Sequence, residues 1–185
     1  MNKLIAAALV AFCGCASSGL RTFQDKNMDF GSIKTVAVLP FTNLGRDNLA
    51  GDRVREVFSN MLLASGAVYV LPQGEVMRGV ARVGLGSPSA PSVEEVIKLG
   101  TALKAEAVIT GVVNEYGETR SGSASANQVS VSVHMFETGT GRQIWTATSS
   151  KGGVTFGNRL IGSSGPPFNQ VTEAVCDELL ANLFK

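Results

Sequence analysis

Side chains with catalytic or ligating chemistry are few in this 185-residue sequence: three cysteines, one histidine and fifteen acidic residues. His134 sits between Val133 and Met135 in an alternating run, with no Cys or second His beside it to share a metal. Asp47, Asp52, Glu94, Glu95, Glu115 and Glu118 are spread over predicted helix faces and loops, as solvated charge is. No Ser has the strand–turn–helix setting of a nucleophile elbow. Gly84-Leu85-Gly86 lies between two predicted helices and Gly139-Thr140-Gly141 in a tight turn, so neither is a phosphate loop with its Lys. Cys176 falls beside an apolar helical stripe, where a thiol acts as a small buried hydrophobe. This inventory predicts no catalytic residues, no metal and no cofactor, and a protein that is not an enzyme.

The remaining two cysteines stand in a context that does predict chemistry. Met1-Asn2-Lys3 is a short basic start, and Leu4 to Phe12 is an apolar run of nine residues. Such a run is too short to span a bilayer and fits the core of a secretory signal. Phe12-Cys13-Gly14-Cys15-Ala16-Ser17-Ser18-Gly19 then resembles a bacterial lipoprotein signal. In that signal, cleavage precedes a Cys whose sulfur takes a diacylglycerol and whose amino group takes an acyl chain. The residue before the Cys must be small, so Gly14 selects Cys15, and Phe12 disfavours Cys13. The alternative is an ordinary cleaved signal with incidental cysteines. Each buried acyl CH2 is worth ~0.8 kcal/mol, so two or three chains anchor a protein firmly. Ala16 stands where an Asp would retain a lipoprotein in the inner membrane, which points to the outer membrane with the domain facing the periplasm. With Cys13 removed and Cys15 lipidated, Cys176 has no disulfide partner.

This divides the chain into a signal peptide (1–14), a lipidated Cys with a short Ser/Gly/Asn/Asp tether (15–31), and one domain (32–185). A hydrophobic fraction of 44% and a charged fraction of 17% suit a domain with a buried core. The net charge of +1 leaves no electrostatic footprint for nucleic acid.

Within the domain, Ile33 to Phe41 reads as a strand apolar on both faces. Leu49 to Ser65 reads as a helix with Val54, Val57, Phe58, Met61 and Leu62 on one stripe and Arg55 away from it, stopped by Gly66. Val68 to Leu71 is a short strand and Glu75 to Val83 a second helix. Ser92-Val93-Glu94-Glu95 is a capping box that starts a third. A strand from Ala107, a polar Gly/Ser loop over Gly117 to Asn127, and two strands joined at Thr138 to Gly141 follow. Gly152 to Pro167 is a loop, and Pro167 opens a last helix along Val171, Val175, Leu179 and Leu183. The order β-α-β-α-α-β-β-β-α predicts an α/β fold: one mixed sheet, ending in an antiparallel hairpin, packed by helices.

Pairing Glu137 with Arg142 around the turn sets Met135 against Ile144 and Val133 against Thr146 on the core face, with His134 against Trp145 and Phe136 beside Gln143 on the other. His134, Phe136 and Trp145 amid serines have the composition of a contact hot spot, a partner or self-association surface. The alternative is that Val154 to Ile161 covers these rings as a second small core.

Thr35-Val36-Ala37-Val38-Leu39-Pro40-Phe41, Gly84-Leu85-Gly86, Leu99-Gly100 with Ala105-Glu106-Ala107-Val108-Ile109-Thr110-Gly111, and Thr138-Gly139-Thr140-Gly141-Arg142-Gln143-Ile144-Trp145 carry a family resemblance. The sequence resembles the CsgG family of envelope lipoproteins, the peptidoglycan-synthase activator LpoB and, more distantly, the N-terminal domain of TolB. For a curli-type channel the resemblance implies two long membrane hairpins per subunit, after the third and fifth strands. Spanning strands need ~9–11 residues with alternating apolar positions, which neither Gly117–Asn127 nor Gly152–Pro167 supplies. A synthase activator implies a long tether toward an inner-membrane partner, and this tether is short. The expectation is therefore a lipid-anchored, periplasm-facing binding or assembly module that forms no pore and binds no small-molecule substrate. Its partner is an envelope protein or a second copy; an accessory subunit of an export apparatus and an activator of an envelope enzyme are the alternatives.

Overall fold

A computed structural model describes residues 20–122, 124–153 and 165–183. The signal segment, Cys13, Cys15 and Val154 to Ile161 lie outside the described residues. The elements are β1 (Arg21–Gln24), a 3-10 turn (Phe30–Ser32), β2 (Thr35–Val38), β3 (Thr42–Asn43), α1 (Ala50–Ala64), β4 (Tyr69–Val70), α2 (Gln73–Val83), α3 (Val93–Leu103), β5 (Ala107–Ser121), β6 (Ala124–Glu137), β7 (Gln143–Gly152) and, numbered here α4, the helix Phe168–Leu180. They build one mixed sheet in the order β1-β7-β6-β5-β2-β4, with β3 beside β5. β2 runs parallel to β4 and β5, and β5, β6, β7 and β1 alternate in direction.

The apolar periodicities explain the layers. Val54, Phe58 and Leu62 of α1 and Val171, Val175 and Leu179 of α4 are buried with Val113, Val129, Val131, Val133 and Met135 on one face. Val76 of α2 and Leu99 of α3 bury Ala37, Leu39 and Val108 on the other. β2 divides Val36 and Val38 from Ala37 and Leu39 between these two clusters, which is why its sequence is apolar without alternation. Ser92 and Glu95 make the reciprocal capping box, and Gly66 at φ 66° follows α1. Cys176 is buried, and burial followed by the nearby Glu173 charge pushes its thiol up to about 12.

Three expectations need correction. Arg55 is not on the solvent side of α1: it is 5% exposed, donating from Nε (3.2 Å) and Nη2 (2.7 Å) to the Val38 carbonyl and from Nη1 to Gln73 Oε1 (3.2 Å). A guanidinium carries donors enough to pair at several points in such a place. The segment 15–31, expected as a tether, is not all outside the fold, because Arg21–Gln24 adds to the sheet beside β7. Its polar sequence hid a strand that supplies partners to the otherwise bare backbone of β7. Finally, Gly117 to Asn127 is not a loop. β5 and β6 stay paired from Ala107↔Glu137 out to Ser121↔Ala124, past an irregularity between Val113 and Glu115. Backbone pairing carried outward from the sheet overrides the local Gly/Ser composition.

Candidate partner-binding surface

The three aromatic and imidazole side chains singled out from sequence do not share a face. Glu137 N does donate to Arg142 O (2.9 Å), closing the turn as expected. Phe136 also lies opposite Gln143, but Met135 lies opposite Trp145, not Ile144. Ile144 is thus an extra residue in β7, and beyond it every pairing shifts by one: His134 faces Thr146 and Val133 faces Ala147. The shift turns Trp145 to the core side, where it is fully buried and its indole Nε1 donates to the Asn182 carbonyl (3.2 Å) just past α4. Trp145 therefore leaves the partner surface, and the cover over it comes from the α1/α4 layer.

His134 and Phe136 remain on the other face, each half-buried. His134 Nδ1 and Thr146 Oγ1 are 2.9 Å apart, and burial pushes the imidazole below its ordinary value, so it is neutral at pH 7. Ser132 Oγ lies 2.9 Å from Thr148 Oγ1 and accepts from Asn114 Nδ2 at 2.9 Å. The result is a rung of hydroxyl and amide contacts across β5, β6 and β7. β1 adds Phe23, opposite Thr146 and 53% exposed, which sequence reading placed in a tether. An alternation of Thr22 and Gln24 around Phe23 was the only signal for it.

Three of the acidic residues that looked scattered converge on one cleft. Asp47, Glu115 and Glu118 line it with Arg46, beside the stacked rings of Tyr116 and Phe168 (centroids 4.8 Å apart). Each carboxylate is already engaged: Asp47 with Arg53 (2.8 Å), Glu118 with Arg120 (2.9 Å), and Glu115 with Gln128. Hydrogen bonds from Ser125 and then Arg120 hold the Glu118 carboxyl below the usual carboxylate range. Neither this cleft nor any other group of His, Cys, Asp or Glu among the described residues has the makings of a metal site.

The motif glycines act as packing devices. Gly84 (φ 70°) closes α2, and Gly86 N donates to Glu95 Oε1 (3.1 Å). Gly141 (φ 71°) lets the β6–β7 turn pass under Val93, and Gly100 lets α3 approach Thr138.

No family model and no curated protein matches the sequence. Solved structures do. The chain is similar to the PelC dodecamer from Paraburkholderia phytofirmans, with a TM-score of 0.59 and 16% identity over 90% of this chain and 96% of that one. It is similar to lipoprotein GNA1162 from Neisseria meningitidis at 0.55 and 17%, over 80% and 99%. It is also similar to the LpoB C-terminal domain from Salmonella enterica at 0.50 and 16%, over 69% and 87%. The fold is the one shared with these three structures. At such identities the likeness shows the fold alone.

Proposed function

We propose that this chain is a lipid-anchored, periplasm-facing binding and assembly module of the bacterial outer membrane, held by acyl chains on Cys15, without catalysis and without a pore of its own. The observation that carries the reading is that Leu20 already packs on the core, only five residues after the anchor proposed at Cys15. A domain tied so closely to its membrane works there, alongside copies of itself or another envelope protein. Several things support it. The fold is common to a protein solved as a dodecamer and to a named lipoprotein, with nearly the whole length of each aligned. Two motif glycines set the packing of α3 against the β6–β7 turn, Gly100 against Thr138 and Gly141 against Val93. The partner surface is centred on His134, Phe136 and Phe23 on the sheet face opposite α1 and α4.

Reaching an inner-membrane synthase, as the activator reading requires, would fall entirely to the partner. Crosslinking the native lipoprotein in whole envelopes, followed by sizing in mild detergent, tests the proposal. It predicts crosslinks to copies or to one envelope protein and a species larger than a monomer. A stable ring selects the export-subunit version. An uncrosslinked monomer that turns over peptidoglycan or polysaccharide would overturn the proposal.

A further inference from the structure

The described residues begin at a defined level of the sheet. Leu20 precedes Arg21, which pairs with Thr148, so Leu20 stands beside Ser149; Ser149 pairs with Val131, and Val131 with Val113. Asn43 of β3 lies at this level too, opposite Val113. β1 runs downward from here, antiparallel to β7, so its amino-terminal end points toward the end of the sheet where β5 and β6 continue outward. That end is also where the parallel strands β2 and β5 point their carboxyl ends.

Two lengths can now be compared. From Leu20 back to Cys15 are five steps, at most about 18 Å even when fully extended at ~3.6 Å each. From Val131 outward to Ala124 are seven steps of a paired strand, roughly 23 Å at ~3.3 Å each. The hairpin therefore outreaches the tether, and a taut tether is itself entropically costly.

We infer that the outer end of the β5–β6 hairpin rests on the bilayer that holds the Cys15 lipid, so that the protein stands with the carboxyl ends of its parallel strands toward the membrane. The contact is with phospholipid headgroups. Glu118, Thr119 and Arg120 on β5 and Ser125 and Asn127 on β6 give this end polar side chains unsuited to hydrocarbon, although Thr119 bonds Gln128 (3.0 Å), Asn127 bonds the Pro166 carbonyl (2.9 Å), and Ala124 and Ala126 are buried. Arg120 pairs with Glu118 (2.9 Å), but with its side chain 76% exposed that surface pair is weak enough for the guanidinium to exchange the carboxylate for a lipid phosphate. The β6–β7 turn and the carboxyl end of α3 face away, toward the periplasm.

This inference rests on lipidation at Cys15, and the test separates the two. Full-length lipoprotein carrying Arg120→Cys, Thr119→Cys or, at the far end, Thr101→Cys is labelled with an environment-sensitive fluorophore. Signal cleavage removes Cys13, acylation occupies Cys15, and Cys176 is buried, so labelling is confined to the introduced thiol. The proteins are placed in phosphatidylethanolamine/phosphatidylglycerol vesicles bearing nitroxide on the headgroup. Labels at 119 and 120 lose most of their emission and the label at 101 keeps it. Acylated, vesicle-bound protein in which 101 is quenched as much as 119 and 120, or none is quenched, overturns the orientation and leaves the anchor intact. Protein without acyl chains that stays in the aqueous phase overturns both.

Discussion

The Trp145 indole donates its hydrogen bond to the carbonyl of Asn182, so the central hairpin is tied to the end of the last helix. The link exists because Ile144 is an extra residue opposite Phe136, which turns the largest side chain of β7 toward α4. Trp145→Ala is expected to remove ~3–5 kcal/mol of stability. Chemical denaturation with sizing at low temperature checks this: the folded fraction should associate as the parent does. A loss of association with stability unchanged would return Trp145 to the surface.

Gly100 of α3 packs directly against Thr138 at the start of the β6–β7 turn. A Cβ on Gly100 would stand 2.2 Å from Thr138 Cβ, and Thr138 is itself fixed by its hydroxyl, which donates to the Ala105 carbonyl (2.6 Å). Gly100→Ala should therefore cost ~1–3 kcal/mol through overpacking. Gly117→Ala in the hairpin, where an added Cβ meets nothing within 4 Å, should be neutral or slightly stabilising. Paired melting curves of the two variants provide the comparison.

Much of this architecture was legible beforehand. The helical stripes of α1 and α4, the Ser92/Glu95 box and the two-faced apolar strand around Val36 to Leu39 act through local periodicity. What escaped was set by pairing between distant segments. Nothing in Gln143-Ile144-Trp145 announces that one residue will be looped out, yet that extra residue moves Trp145 from one face to the other and removes it from the partner surface. Phe23 and the outer hairpin were missed for the same reason, since Arg21–Gln24 and Gly117–Asn127 become strands through the neighbours they join. His134 and Phe136 keep the face that their own alternation gave them because the extra residue lies in β7, but the same shift replaces the expected partner of His134, Trp145, with Thr146.

Acidification should act on His134. Its folded value is depressed by burial, so below the unfolded value near 6.5 the unfolded chain takes up a proton that the folded chain does not. Stability then falls as pH drops from about 6.5 toward the folded value. His134→Gln keeps a hydrogen-bonding partner for Thr146 and should flatten this part of the profile. Melting temperatures of both proteins between about pH 7.5 and 5 would show the difference; parallel curves would place the slope on other groups.

Lipidated protein in planar bilayers should give no discrete conductance steps. The outer hairpin carries Glu118, Thr119 and Arg120 in succession, without the apolar alternation that a spanning strand of ~9–11 residues presents to lipid. Reproducible, protein-dependent steps would refute the pore-free reading.

The central claim is the anchor. Cells expressing the parent protein, Cys13→Ala or Cys15→Ala are fed a clickable fatty acid, and the purified proteins are compared by label and intact mass. The account predicts acylated, membrane-bound protein for the parent and for Cys13→Ala, and unprocessed or soluble protein without label for Cys15→Ala. Label retained by Cys15→Ala and lost by Cys13→Ala would contradict it.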